Sequence, residues 1–228
     1  MNKRDANPDY KKIYQIVSGL FKRTKHFRHG PYDETFYTLR VYETAKEIIK
    51  KLNKKCEINV ILTAALLHDI GKIRLKSINI IGHKKVKKKW KEEWRKHPKY
   101  SIPIARKILK NLGHSEEFIQ KVCFLAGSHD PRTETVPEKS LELQILQDAD
   151  IIADAGIADF IRPFLYCGKF DNQSIIGSIR YLQRTTNRCE DEGRLNLKIS
   201  KKIAAEKTKI KNKLVKEISR EIESDLLD

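Results

Sequence analysis

A histidine and an aspartate stand side by side at the end of an apolar run, and both side chains can bind a metal ion. The run from Ile58 to Leu67 has few polar residues, which predicts a buried core helix, and His68 and Asp69 follow it directly. Gly71 and Lys72 come next, and the glycine suits a left-handed position that would end the helix. Burying a carboxylate beside an imidazole costs free energy unless a positive charge, such as a divalent cation, lies next to them. A His-Asp pair at a helix end can equally be a cap or an ion pair.

Three further residues of ligand type, His97, His129 and Asp150, each stand at the start or end of an apolar periodic segment. With the segments LLHDIGK (66–72) and SLELQILQDAD (140–150), this pattern resembles the HD-domain metal-dependent phosphohydrolase superfamily. The superfamily signature is a His, then a His-Asp pair, then an Asp. The resemblance extends into TLRV (38–41), covers most of the chain, and is greatest to the small stand-alone HD hydrolases that cleave nucleotide phosphates.

The resemblance implies a ligand set and a cofactor. His68, Asp69 and Asp150 would bind the metal, and Asp148 would orient a ligand or a water molecule beside it. A mixed set of nitrogen and oxygen ligands suits Mn²⁺, Mg²⁺, Fe²⁺ or Co²⁺. We expect His97 and His129 to serve a second metal or the substrate phosphate.

Cationic side chains near these ligands are candidates for phosphate binding. Lys72 could aim its ammonium at a phosphate oxygen, and Arg40, one helical turn after residue 37, could clamp a phosphate or pair with Asp69. The predicted catalytic residues are therefore Asp69, Lys72, His97 and His129, of which the last three, with Arg40, would bind substrate. The alternative for each is structural: a surface lysine, or a histidine that is exposed or satisfied at a helix end.

The first ligand position departs from the superfamily pattern. Where the superfamily has a histidine, three residues before an Arg-Val pair, this chain has Tyr37. A neutral phenol with a pKa of about 10 is a poor ligand for Mg²⁺ or Mn²⁺. Three alternatives follow. His29 or His26 could reach in from the preceding loop, the other three ligands could hold the metal with extra waters, or the site could be inactive.

Composition restricts the partners. The chain has 228 residues, 39% of them hydrophobic and 34% charged, with a net charge of +17, which predicts attraction to polyanions. No stretch is long and apolar enough for a membrane span, and the N-terminus has no secretory signal, so we expect a cytoplasmic protein without membrane contact. The four cysteines are scattered, which predicts free thiols.

Helical periodicity runs through the chain and no alternating strand pattern interrupts it. We expect an all-α protein: a compact HD-type helical bundle over residues 1–165, with a loose start at residues 1–8, and a C-terminal helical extension over 166–228. The extension carries apolar residues at a spacing near seven from Ile199 to Leu226, which predicts a narrow packing seam. It could pack back on the domain or form a homodimer.

The basic stretch 84–96 contains two tryptophans, Trp90 and Trp94, which would share one helix face. Such a stretch could bind nucleic acid, because aromatic rings stack on bases while lysines neutralise phosphates. The favoured alternative is a surface helix held to the core by the two rings.

These observations predict a metal-dependent phosphohydrolase that cleaves an ester or anhydride bond of a nucleotide or another small phosphate compound through a metal-activated water. Two alternatives remain. The chain could be a catalytically weak HD-fold protein that binds nucleotide or nucleic acid, which Tyr37 favours, or a helical interaction protein that dimerises through residues 195–226.

Overall fold

The computed structural model describes residues 3–24, 34–75, 92–130, 139–166, 175–184 and 194–222. Within these ranges all regular structure is helical, which confirms the predicted all-α fold. The helices are α1 (Lys3–Ala6), α2 (Tyr10–Arg23), α3 (Glu34–Leu52), α4 (Ile58–Leu67), α5 (His97–Asn111), α6 (Glu116–Ser128), α7 (Leu141–Ile152), α8 (Ile157–Tyr166), α9 (Ile175–Arg184) and α10 (Lys198–Ile222). A 3₁₀ turn, Ile70–Arg74, follows α4.

Helix α4 lies at the centre of the bundle. Every residue from Val60 to Leu67 is buried, and the helix packs against α2, α3, α6 and α7. A helix that is apolar on all sides needs neighbours on all sides, since each exposed aliphatic side chain would forfeit about 1.5–3 kcal/mol of burial free energy. The predicted core helix is confirmed, and His68 and Asp69, which follow its C-terminal end, are buried in the interior.

Serine caps fix the starts of two helices that carry site residues. The Ser115 hydroxyl accepts a hydrogen bond from the Phe118 amide at 3.2 Å, and the Ser140 hydroxyl accepts one from the Leu143 amide at 3.2 Å. Each cap satisfies an amide that has no partner within its helix and is worth about 1 kcal/mol.

Gly71 does not have the predicted left-handed conformation. The described glycines with positive φ are Gly113 and Gly156, whereas the chain at Gly71 continues from α4 into the 3₁₀ turn. A Cβ atom here would overlap the carbonyl oxygen of His97 and the amide nitrogen of Ser101. Glycine is therefore needed because the turn lies directly against the start of α5. The Ser101 hydroxyl of α5 links this helix to the turn. It accepts a hydrogen bond from the Gly71 amide at 2.8 Å and donates one to the main-chain oxygen of His68 at 2.6 Å.

The N-terminus is not the predicted loose start, because α1 is attached to the bundle. Asp5 is only 3% exposed, and its carboxylate accepts from His114 Nδ1 at 3.0 Å and from the Ser115 amide at 3.2 Å. The Asn59 side-chain amide donates to the main-chain oxygens of Asp5 and Ala6. These hydrogen bonds tie α1 to α4 and to the turn between α5 and α6.

The C-terminal helix packs on the same chain, against α3, α7, α8 and α9. Its buried face differs from the predicted seam: Ile203 is buried, but Ile210 is 49% exposed while Lys211 is 3% exposed. The buried Lys211 is stabilised by an ion pair, since its Nζ lies 3.3 Å from Asp159 Oδ2 of α8. The division into a domain over 1–165 and an extension over 166–228 stays a prediction.

Asp148 holds the start of α10, which corrects the role predicted for it beside a metal. Its Oδ1 accepts from the main-chain and side-chain nitrogens of Asn196, both at 2.8 Å, and its Oδ2 accepts from the Leu197 amide at 2.9 Å. The carboxylate therefore supplies acceptors to amides at the beginning of a helix.

Two smaller expectations can be compared with the described residues. Cys56 and Cys123 are free thiols, as predicted, while Cys167 and Cys189 lie outside the described ranges. Among the helices of those ranges, none combines the length and the apolar character that a membrane span needs.

Candidate metal centre

Four helices bring the predicted site residues to one place. His68 and Asp69 directly follow α4, His97 is the first residue of α5, His129 caps the end of α6, and Asp150 lies in α7. Except for Asp150, whose side chain is 17% exposed, these side chains are at most 3% exposed. The sequence-predicted candidates therefore form one buried cluster of imidazoles and carboxylates.

The three imidazoles are held in the same way. Each places Nδ1 beside the main-chain oxygen three residues earlier, at 2.9 Å for His68, 2.6 Å for His97 and 2.8 Å for His129. Because a carbonyl oxygen can only accept, each Nδ1 carries the hydrogen. In each ring Nε2 is therefore the nitrogen that faces the cluster, which is the arrangement typical of metal-binding histidines.

The Nε2 atoms converge on Asp69. Its Oδ2 lies 3.2 Å from His68 Nε2, and its Oδ1 lies 3.1 Å from His97 Nε2 and 3.6 Å from His129 Nε2. The Nε2 atoms of His97 and His129 are themselves 3.1 Å apart. All of these atoms are acceptors when the rings are neutral, so positive charge shared among them would stabilise the cluster.

The pKa values reflect this demand for positive charge. Burial disfavours the imidazolium of His68, but the charges of Asp69 and Asp150 outweigh burial and raise its pKa to about 10. Burial alone would raise the pKa of Asp69, yet His68 and Lys72 hold it well below its usual range. His68 also lowers the pKa of Asp150 against the opposing effect of burial. For His97 burial dominates and lowers the pKa, which favours the neutral ring.

Lys72 is part of the cluster and is not a surface lysine. It is 4% exposed, and its Nζ lies 2.5 Å from Asp69 Oδ2. The ammonium also lies 4.6 Å from the ring centroid of Trp94 and 5.3 Å from that of Tyr37. Aromatic faces stabilise a desolvated cation, so these rings help to keep the ammonium beside Asp69.

Trp94 lines the site, which the sequence did not indicate. Its half-buried ring packs 5.5 Å from the ring of His97, centroid to centroid, in addition to its contact with Lys72. Trp90 and most of the basic stretch 84–96 lie outside the described residues, and a role of this stretch in nucleic-acid binding stays a prediction.

Tyr37 faces the centre of the cluster. Its hydroxyl donates a hydrogen bond at the position where the superfamily histidine would offer a nitrogen lone pair to a metal. Its hydroxyl lies 2.6 Å from Asp150 Oδ1 and 2.7 Å from the Asp150 main-chain oxygen. Burial, reinforced by the negative charge of Asp150, raises the pKa of Tyr37 well above its usual value. The phenol therefore stays neutral and donates a hydrogen bond to the carboxylate. His29 and His26, the alternative first ligands, lie outside the described residues.

Arg40 shares a face with Tyr37, as predicted from their spacing, and its guanidinium carbon lies 5.4 Å from the tyrosine ring centroid. Its Nε donates to the Ala153 main-chain oxygen at 2.9 Å, and one terminal nitrogen lies 3.4 Å from Asp154 Oδ1. The ion pair with Asp154 was not foreseen, because no local pattern in the sequence links residues of α3 to the chain after α7.

The family of the chain can now be stated. The family model of the HD domain matches residues 36–155, more than half of the chain, so the protein belongs to the HD-domain family. The matched region includes every described residue of the cluster. No curated protein matches the chain.

Solved structures share the fold over nearly the whole chain. A predicted HD superfamily hydrolase from an uncultured Thermotogales bacterium has 23% identity and a TM-score of 0.61, covering 97% of this chain and 99% of its own. An HD-superfamily hydrolase from Bacillus thuringiensis has 17% identity and a TM-score of 0.57, covering 93% and 95%. YpgQ from Bacillus subtilis, solved in complex with ADP, has 16% identity and a TM-score of 0.56, covering 93% and 94%.

The residues present fit the divalent metal that HD domains typically bind. One ligand atom each from His68, Asp69 and His129 lie within 4.8 Å of one another. Ligand atoms about 2.1 Å from one ion lie about 3–4 Å apart, so a small movement suffices for coordination. The donor set, imidazole nitrogen with carboxylate oxygen, is also that of known metal sites.

Proposed function

We propose that this protein is a metal-dependent phosphohydrolase that cleaves an ester or anhydride bond of a nucleotide. The observation that carries the proposal is the buried convergence of three imidazole Nε2 atoms on the Asp69 carboxylate, with the Lys72 ammonium at the same oxygen. Such a cluster is costly to bury, and its donors match a catalytic divalent ion. The fold shared with YpgQ, which was solved with ADP, supports a nucleotide as substrate.

The side chains divide into ligands and phosphate-binding groups. A bound divalent ion would supply a Lewis acid that lowers the pKa of water and polarises a phosphoryl oxygen. His68 and Asp69 would hold this ion, and Asp150, the ligand implied by the resemblance, lies 3.3 Å from His68 Nε2. Mn²⁺, Mg²⁺, Fe²⁺ and Co²⁺ all suit a set of this kind.

Lys72 and His97 would bind the phosphoryl group that reacts. The ammonium of Lys72 carries three N–H donors and sits beside Asp69, so it can stabilise negative charge that develops on the phosphoryl oxygens. His97 is buried and neutral, with Nε2 directed into the cluster, so it can accept a proton from an attacking water or bind a protonated oxygen. The net charge of +17 would attract the anionic substrate.

A second candidate function is a catalytically weak HD-fold protein that binds a nucleotide or nucleic acid. Tyr37 favours it, because the phenol replaces the first ligand and donates to Asp150. Such a protein would bind a nucleotide but release no phosphate, so the same assay separates the two candidates.

Phosphate release from a panel of nucleotides, with Mn²⁺ and after chelation, tests the proposal. We expect release that stops on chelation, returns with Mn²⁺, and is lost in Asp69→Asn. Glu217→Gln is the matched control, because it removes an exposed carboxylate that pairs with Arg220 in α10. Nucleotide binding without release by the metal-loaded wild type would favour the second candidate.

A further inference from the structure

The metal site of this chain departs from the superfamily pattern at residue 37, and this departure also affects Asp150, the aspartate that the pattern requires. Residue 37 brings a hydroxyl in place of an imidazole, so one nitrogen ligand is lost. The hydroxyl donates to Asp150 Oδ1 at 2.6 Å, so the carboxylate at the other end of the pattern already has a hydrogen-bond donor. The predicted set then keeps only His68 and Asp69 unchanged.

His129 is placed to supply the missing nitrogen. Its Nδ1 is fixed at 2.8 Å from the Ala126 oxygen, so the lone pair of Nε2 points at the cluster, 3.6 Å from Asp69 Oδ1. Its ring lies edge-on to that of His68, with centroids 4.8 Å apart. His68, Asp69 and His129 are also the three residues whose ligand atoms all lie within 4.8 Å of one another.

His68 supplies an independent observation that a cation belongs here. Its Nε2 is fully buried and makes no hydrogen bond with any described residue, although two carboxylate oxygens lie at 3.2 and 3.3 Å. Because Nδ1 donates to the Ala65 oxygen, Nε2 is the ring atom that faces the carboxylates, and it needs a positive charge beside it, either its own proton or a bound cation. A metal ion between His68, Asp69 and His129 satisfies it.

We propose that His129 takes the ligand role that residue 37 cannot fill, so that His68, Asp69 and His129 bind the metal. Asp150 stays hydrogen-bonded to the Tyr37 hydroxyl and is not a ligand. The inference rests on the proposed metal-dependent function and specifies its site. Two imidazoles and one carboxylate leave open positions for water and substrate, as catalytic sites require. The two nitrogens favour Fe²⁺, Co²⁺ or Zn²⁺ over Mg²⁺, which prefers oxygen ligands.

Titration of the metal-free protein with Co²⁺, followed by visible absorption, tests the ligand set directly. We expect His129→Ala to weaken Co²⁺ binding by at least about tenfold, because a ligand is lost, and Asp150→Asn to change it by less than about threefold. A large excess of Mg²⁺ should not displace Co²⁺ from the wild type. Circular dichroism confirms that each variant is folded, and His129→Gln replaces His129→Ala if the alanine variant is not.

Two results would overturn the inference: wild-type Co²⁺ binding by a His129 variant, or a loss in Asp150→Asn as large as that in the His129 variant. The Asp150 substitution is a suitable comparison, because Tyr37 keeps the main-chain oxygen of residue 150 as an acceptor. Phosphate release is measured separately. Co²⁺ binding that depends on His129 without any release would contradict the proposed function alone, while release that needs Asp150 but not His129 would contradict this inference alone.

Discussion

The tyrosine at position 37, in place of the superfamily histidine, changes the hydrogen bonding of Asp150, which lies 113 positions further along the chain. The Tyr37 hydroxyl donates to both the carboxylate and the main-chain oxygen of Asp150. An imidazole at the same place would offer a lone pair toward the centre, whereas the phenol offers a hydrogen. The position therefore decides whether α3 contributes a ligand to the metal or a donor to Asp150.

Tyr37→His should tighten metal binding by about tenfold and raise any hydrolase rate, because it restores the nitrogen ligand of the superfamily pattern. Calorimetric titration with Mn²⁺ measures the change in affinity. Tyr37→Phe is the control, since it removes the hydroxyl without adding a ligand and should give no such gain. Equal affinities for Tyr37→His and the wild type would mean that an imidazole at position 37 does not reach the metal.

At the scale of elements, the cluster depends on how closely the 3₁₀ turn approaches α5. Asp69 directly precedes the turn, Lys72 lies within it, and α5 begins with His97. Gly71 and Ser101 make the contact, through the hydrogen bond from the Gly71 amide to the Ser101 hydroxyl. A displacement of either element would separate His97 from Asp69, whose atoms now lie 3.1 Å apart.

Gly71→Ala should lower the free energy of unfolding by about 1–3 kcal/mol and weaken metal binding, because the added methyl group overlaps the backbone of α5. Denaturant unfolding and metal titration measure the two effects. Gly19→Ala is the matched control: a Cβ there meets no atom closer than Arg23 Nη2 at 3.8 Å, and alanine in a helix is favoured over glycine by about 1 kcal/mol. If Gly71→Ala behaved like Gly19→Ala, the close approach would not matter.

The sequence predicted the all-α character and the buried helix before His68 because hydrophobic periodicity and an apolar run are local signals. The caps at Ser115 and Ser140 are local too, since each serine contacts an amide three residues later. Gly71 was misjudged because its role depends on α5, whose distance from the turn is not encoded in neighbouring residues. The same applies to Tyr37 and Asp150, since no local pattern shows that a phenol in α3 will meet a carboxylate in α7. His97 and His129 were identified as candidates, but their contacts with Asp69 depend on packing.

At the scale of the whole molecule, long-range polar contacts hold the terminal segments on the bundle. Asp5 joins α1 to the turn between α5 and α6, and Asp148 holds the start of α10. Burial disfavours the Asp5 carboxylate, but hydrogen bonds from Ser115 and His114 outweigh it and lower the pKa. The carboxylate therefore stabilises the fold above its unfolded pKa of about 4, and this contribution is lost as pH falls through the folded pKa.

Asp5→Asn should lower the free energy of unfolding by about 1–3 kcal/mol near neutral pH, with a smaller difference from the wild type below about pH 4. Denaturant unfolding at several pH values measures this. Asp9→Asn, at the exposed start of α2, should change stability little, because asparagine caps a helix about as well as aspartate. A difference between Asp5→Asn and the wild type that stayed constant down to pH 2 would contradict the role given to the Asp5 charge.

The central claim is that the buried cluster around Asp69 binds a divalent metal, and elemental analysis of the purified protein measures this most directly. We predict a stoichiometric divalent transition metal in the wild type, lost from a folded Asp69→Ala variant because the carboxylate is shared by all three imidazoles. The same metal content in Asp69→Ala and the wild type would contradict the site assignment. A wild-type protein that holds no metal, even after incubation with Mn²⁺ or Co²⁺, would contradict the account as a whole.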